Sequence, residues 1–70
     1  MKQPILIKFG QRVREKRLKL GLSQEELAAR AGVHRTYVGM IERAEKNITL
    51  LNIEKILKAL KINIADFFKT

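Results

Sequence analysis

The side chains of this 70-residue chain that could do chemistry are mostly hydrogen-bond donors suited to anions. Lysine and arginine number 15 and aspartate and glutamate 7, so the formal net charge is +8. The chain has no cysteine and one histidine, which excludes disulfides and thiolate metal sites. It offers no nucleophile–base set and no phosphate-binding loop, so we expect no enzyme activity, no metal and no cofactor. A small domain this basic most often binds a polyanion.

Four consecutive polar side chains, from His34 to Tyr37, could contact nucleic acid. Arg35 could pair bidentately with O6 and N7 of guanine. Thr36 could donate to a base or offer its methyl group to thymine, and Tyr37 could touch a base edge or a phosphate. The plainer interpretations are a phosphate contact for Arg35, a solvated Thr36, and packing of Tyr37 against the preceding helix.

A second group of polar side chains is expected at the phosphates, because helix N-termini present free amides and a positive dipole end. The predicted phosphate contacts are Gln24, His34, Arg43, Lys46, Asn47 and Thr49. His34 and Thr49 could instead serve as helix caps, and Arg43 and Lys46 could be solvated loop charges. No partner ligands accompany His34, so a metal role is not expected.

These residues must be positioned by helices, because β-branched residues never alternate with polar ones over a strand's length. The length predicts a single domain over residues 1–70, and a hydrophobic content of 46% suffices for its core. The predicted helices cover residues 5–20, Ser23 to the stop at Gly32, 35–45, 49–60 and 64–68. Gly10 lies inside the first helix, at an expected cost of about 1 kcal/mol relative to alanine.

The second and third helices are joined only by residues 32–34, a connection that makes helices cross at about 90–120°. Ala28 is small enough for the crossing, and Gly32 tolerates the positive φ that the turn needs. The predicted contacts to the core are Leu27, Ala31, Val33, Val38 and Ile41. This pattern indicates a helix-turn-helix whose third helix enters the DNA major groove. Gly39 is interpreted as space for the duplex or for the second helix.

The chain resembles the phage-repressor-like (XRE/Cro) helix-turn-helix family through segment 23–28 (SQEELA), Gly32, Val38 and segment 41–43 (IER). Segments 34–39 and 47–53 more specifically resemble controller proteins of restriction–modification systems. The resemblance implies a compact, all-α, lambda-repressor-like bundle of five helices, dimeric operator binding and no catalysis.

The resemblance also implies a structural salt bridge between Arg17 and Glu42, which would tether the first helix to the third. Both residues lie on otherwise apolar helix sides, so we expect loss of Arg17 to destabilise the fold while leaving the DNA-facing surface chemically intact. Two residues depart from the family pattern at turns: Ala44 replaces the usual glycine, and Lys61 replaces a frequent glycine or asparagine.

The C-terminal third carries more large apolar side chains than a small bundle can bury, which predicts a two-fold interface. The predicted interface residues are Leu50, Leu51, Ile62, Ile64, Phe67 and Phe68. Pairing also suits recognition, because one small reading head contacts too few base pairs for specificity. The predicted function is a homodimeric, sequence-specific transcriptional regulator on a palindromic operator, with double-stranded DNA as partner and no small-molecule ligand.

Two other functions use the same residues. An antitoxin would bind a toxin protein and its own operator, but it usually carries an extra segment, and only residues 1–4 and 69–70 are spare. A membrane-surface peptide built on the basic first helix is disfavoured by the complete motif downstream. The longest apolar run is three residues, at 5–7, which is too short for a membrane span or a signal peptide, so we expect a cytoplasmic protein.

Overall fold

The computed structural model describes residues 2–69 and folds them into five α-helices. The helices are α1 (Pro4–Lys19), α2 (Gln24–Ala31), α3 (Arg35–Glu42), α4 (Leu50–Ala59) and α5 (Ile64–Phe68). Within this range no strand is present, and the prediction of an all-α, five-helix fold is confirmed. The helix α3 packs against both α1 and α2, while α4 packs against α2 and α5.

Side-chain caps start four of these helices. Ser23 Oγ accepts from the Glu26 amide and Glu26 Oε1 accepts from the Ser23 amide, both at 2.9 Å, which forms a capping box at α2. The hydrogen bond from the Ser23 amide holds the pKa of the Glu26 carboxyl below its ordinary value, because it favours the ionised form. His34, Thr49 and Asn63 cap α3, α4 and α5 by accepting a backbone hydrogen bond from the first turn, without the reciprocal bond of a capping box. Each start therefore agrees with the sequence to within one residue.

The third helix ends at Glu42, three residues before the predicted end. Ala44 adopts a left-handed conformation with φ of 58°, and its amide bonds back to the Ile41 carbonyl. Lys61 closes α4 similarly, with φ of 61°. These are the two turn positions where the sequence departs from the family pattern. Left-handed backbone at a residue with a Cβ costs about 1–2 kcal/mol, so the turns are kept despite a local penalty.

The core gathers apolar side chains from all five helices. Its fully buried members include Val13, Leu27, Val38, Ile56, Leu57 and Phe67. The ring of Phe67 meets Phe9 edge to face, with the ring centroids 5.2 Å apart. Phe67 is only 2% exposed, so its predicted place in a dimer interface is wrong. The five-residue helix α5 turns this ring inward against α1 and leaves its neighbour Phe68 outside.

Helices α1 and α3 approach each other closely at Gly10. A Cβ at this position would lie 2.4 Å from the Ile41 carbonyl oxygen and 2.9 Å from that of Glu42. Both oxygens belong to the α3 backbone, which cannot move aside as a side chain can. The cost in helix propensity expected at Gly10 therefore accompanies a packing requirement that the sequence did not indicate, because α1 packs on α3 only with a residue that has no side chain.

Replacing Gly10 with alanine is expected to destabilise the protein by about 1–3 kcal/mol, because overpacking outweighs the gain of about 1 kcal/mol in helix propensity. Gly39→Ala is the matched control. Its Cβ would meet only the ends of flexible side chains, Arg43 Nη1 at 3.0 Å and Gln24 Oε1 at 3.4 Å. Urea denaturation measures both effects. A Gly10→Ala midpoint at or above that of the unmodified protein would contradict the close approach.

Candidate nucleic-acid interface

A cleft separates the start of α2 from the outward face of α3. It is lined by Ser23, Gln24, Glu25, Arg35, Thr36, Gly39 and Arg43. Four of the predicted DNA-contacting residues therefore come together here: Gln24, Arg35, Thr36 and Arg43. Gly39 forms the floor, since a Cβ there would touch the side chains of Gln24 and Arg43.

Arg35 and Thr36 are exposed in the first turn of α3. Arg35 Nη1 lies 3.1 Å from Glu25 Oε2, and the two side chains are 68% and 72% exposed. An ion pair this exposed contributes about 0–1 kcal/mol, so Arg35 can exchange Glu25 for another anion at little cost. The guanidinium of Arg35 and the hydroxyl of Thr36 are therefore exposed in the cleft and free to donate hydrogen bonds to a ligand.

His34 caps α3 through Nδ1, which accepts a hydrogen bond of 3.1 Å from the Thr36 amide. An accepting Nδ1 carries no hydrogen, so the neutral imidazole carries its proton on Nε2. The residue is exposed, and the cap leaves that N–H available as a donor. Capping and an anion contact are therefore compatible at this position.

Tyr37 is half-buried, and its ring packs against the core. Its hydroxyl oxygen accepts a hydrogen bond of 3.0 Å from Asn52 Nδ2, on α4. The hydroxyl hydrogen remains available to a further acceptor. Asn52 carries no signal for this contact in the sequence, because no local pattern joins a residue of α3 to one that is 15 positions away.

The remaining predicted phosphate contacts lie after α3, in the segment that leads to α4. Arg43 Nε donates to Glu45 Oε1 at 3.0 Å, in an exposed pair. Lys46 and Asn47 are exposed, and Thr49 Oγ1 accepts from the Asn52 amide at 3.1 Å. Except for Arg43 at the junction, these residues do not line the cleft.

Arg17 and Glu42 form a bidentate ion pair between α1 and α3. Arg17 Nε lies 2.7 Å from Glu42 Oε2, and Arg17 Nη2 lies 3.0 Å from Oε1. The two side chains are 9% and 3% exposed. Arg17 Nη1 also donates to the Leu22 carbonyl at 2.8 Å, in the turn before α2. The pair thus joins α1, α3 and the turn before α2.

Glu42 has a further partner that the sequence did not reveal. Gln24 Nε2, at the first position of α2, donates to Glu42 Oε1 at 3.1 Å. Gln24 is a cleft residue, so the buried pair contacts a side chain of the candidate interface. The ion pair and the cleft are thus linked through Gln24.

Fold and cleft together define a DNA-binding domain of the helix-turn-helix class. Two short helices cross over a glycine turn, and the second presents Arg35 and Thr36 at its exposed start. Residues 2–69 contain no group of three potential metal-ligating side chains and no helix long and apolar enough to cross a membrane.

Comparison with known proteins agrees with this class. The helix-turn-helix family model matches residues 13–67. Control protein C.BamHI of Bacillus amyloliquefaciens is 49% identical over 67 residues, which cover 94% of this chain and 83% of that protein. The chain therefore belongs to the helix-turn-helix family and, within it, to the control proteins of restriction–modification systems.

Two solved structures support this assignment. The restriction–modification controller protein C.AhdI from Aeromonas hydrophila is 48% identical, with a TM-score of 0.90 over 94% of this chain and 100% of that chain. The C.Esp1396I tetramer, solved in complex with its natural 35-base-pair operator, is 34% identical, with a TM-score of 0.90 over 96% and 88%. The predicted family is confirmed.

Arg17→Ala is expected to lower the free energy of unfolding by about 3–5 kcal/mol, because the substitution leaves the Glu42 carboxylate buried without its counter-ion. Arg35→Ala is the matched control, since it breaks an exposed pair and should change stability by less than about 1 kcal/mol. Urea denaturation monitored by circular dichroism measures both. Equal denaturation midpoints for the two variants would refute the buried pair as a source of stability.

Proposed function

We propose that this protein is a transcriptional regulator that binds a palindromic operator as a homodimer, as a controller protein of a restriction–modification system. The exposed pair Arg35 and Thr36 at the start of α3, in a chain 49% identical to a control protein, carries the proposal. Such a regulator acts in the cytoplasm, where its DNA lies, and its task needs no catalysis. Similarity to control proteins favours this function over that of an antitoxin.

In this proposal α3 lies in the major groove, with its first turn nearest the bases. Arg35, Thr36 and Tyr37 read base edges, Arg35 through its guanidinium and Tyr37 through the hydrogen that Asn52 leaves unused. The phosphate contacts on either side come from Gln24, His34, Arg43, Lys46, Asn47 and Thr49. Contacts at both ends of α3 would fix its register on the duplex.

A second copy of the chain is the proposed occupant of an apolar groove between α4 and α5. Leu50, Leu51 and Ile64 line it and are 77%, 61% and 48% exposed. Ile62, half-buried, also lines the groove, whereas Phe68 is exposed on α5, outside the lining, with its ring stacked on Phe9. The lining also carries both signs of charge, on Glu54, Lys58 and Lys61, so a carboxylate of one copy can face an ammonium group of the other across a two-fold axis.

Selection of duplexes from a random library tests the function as a whole. We expect enrichment of one palindromic site, with half-site centres one helical turn apart, about 34 Å, or a multiple of it. This spacing places both recognition helices on the same side of the duplex. Recovery of unrelated sequences would overturn the proposed sequence-specific regulation.

Arg35→Ala should weaken binding to the selected site by about 1–3 kcal/mol per half-site and relax the preference at one base position. Its effect on scrambled DNA should be small. Arg43→Ala should weaken binding to both duplexes alike and reduce the salt dependence by about one unit of slope. Salt titrations on the two duplexes measure these effects. Equal losses on both duplexes for Arg35→Ala would assign Arg35 to a phosphate instead.

The unmodified protein should be a dimer at micromolar concentration. Leu51→Glu should weaken dimerisation at least tenfold, roughly the cost of burying an unpaired charge at an apolar interface, without touching the core. Leu18→Glu is the matched control, because Leu18 is 52% exposed on α1, away from the groove. Sedimentation equilibrium measures both. A dimer unaffected by Leu51→Glu would place the interface elsewhere.

A further inference from the structure

We propose that Glu42 is a positioning residue for DNA binding, because its buried carboxylate holds the amide of Gln24 in one orientation at the edge of the cleft. The inference rests on the proposed function, in which Gln24 contacts a phosphate. It assigns to the buried ion pair a second role, beyond joining α1 to α3.

Three hydrogen bonds fix the carboxylate itself. Arg17 donates to both of its oxygens, at 2.7 Å and 3.0 Å, and Gln24 Nε2 donates to Oε1 at 3.1 Å. With a side-chain exposure of 3%, Glu42 has almost no water to exchange with these partners. The acceptor that faces Gln24 is therefore rigid, and its two other bonds are charge-assisted bonds from a guanidinium.

The charge of Glu42 determines which way the amide of Gln24 faces. An ionised carboxylate only accepts hydrogen bonds, so it must face the NH₂ group and not the carbonyl oxygen. One N–H of Nε2 is used in this bond, and the structure gives that nitrogen no other partner among residues 2–69. The second N–H remains for an acceptor outside the chain, and a phosphate oxygen is such an acceptor.

Gly39 makes room for this orientation. The side-chain oxygen of Gln24, Oε1, lies 3.4 Å from where a Cβ at position 39 would stand. The side-chain amide therefore rests over the α3 backbone. Carboxylate on one side and bare backbone on the other confine the amide to the cleft. Gln24 thus offers its N–H without losing side-chain entropy on binding, as preorganised contacts do.

A charge-neutral replacement separates positioning from folding. Arg17→Met with Glu42→Met exchanges a buried ion pair for apolar side chains of similar volume, a change that is often neutral for stability. It removes the acceptor for Gln24 but leaves the net charge at +8. The matched control is Arg14→Met with Glu15→Met, which removes the same residue types from an exposed part of α1.

The two double variants, Gln24→Ala and a triple variant that combines Gln24→Ala with Arg17→Met and Glu42→Met are made. Each is titrated, beside the unmodified protein, against the duplex that the unmodified protein selects. We expect Gln24→Ala and the Arg17/Glu42 double variant each to weaken binding by about tenfold, roughly one hydrogen bond lost in each half-site. The triple variant should bind no more weakly than Gln24→Ala alone. The Arg14/Glu15 control should bind like the unmodified protein, and the salt slope should not change.

Additive losses, or unaltered binding by Gln24→Ala or by a folded Arg17/Glu42 double variant, would overturn the inference. None of these outcomes touches the proposed function, which fails only if no site is selected. Relaxation of side-chain ¹⁵N nuclei in the unmodified protein gives a test independent of the variants. Gln24 should have an order parameter near that of rigid backbone, about 0.85, and the exposed Gln11 one below about 0.6. Equal order parameters for the side-chain amides of Gln24 and Gln11 would overturn the inference.

Discussion

The helix-turn-helix of this protein depends on the buried ion pair between Arg17 and Glu42. Removing two charges from water costs several kcal/mol each, and their mutual attraction offsets this only if the remaining hydrogen-bonding capacity is also satisfied. The Leu22 carbonyl and the Gln24 amide complete that set. Residues 2–69 accordingly hold no buried side-chain nitrogen or oxygen without a partner. The pair is thus a junction of α1, α2 and α3 rather than a single bridge.

The same face of α1 supplies the close approach that this junction requires. Gly10, Val13 and Arg17 are spaced so that they form one stripe on the helix. Gly10 touches the backbone at Ile41 and Glu42, and Arg17 binds the side chain of Glu42. A larger residue at position 10 would push α3 away and lengthen the ion pair. The glycine and the arginine are therefore two parts of one constraint, one steric and one electrostatic.

The sequence was sufficient to predict where the helices lie, because the chain carries local signals for them. These are the Ser23 capping box, the short turn at Gly32 and the apolar stripes. The sequence was insufficient where the outcome depends on packing. The end of α3 follows from the left-handed turn at Ala44, which lacks the usual glycine. For Phe67 and Phe68, a helix of five residues gives too little periodicity to tell which ring is buried. Side-chain bonds between helices, such as that from Asn52 to Tyr37, leave no trace in local sequence.

Most of the excess positive charge lies in residues 1–22, outside the cleft. Residues 1–22 carry seven basic residues and one acidic, whereas residues 23–47, which include the cleft, carry four of each. At the cleft, Arg35 and Arg43 are paired with Glu25 and Glu45 of the same chain. If Arg35 and Arg43 contact DNA as proposed, binding exchanges those carboxylates for the duplex, and a site without a guanine for Arg35 leaves Glu25 close to the phosphates without compensation. In that proposal the acidic partners lower the affinity for incorrect sequences, while the basic residues of α1 would supply long-range attraction to any duplex.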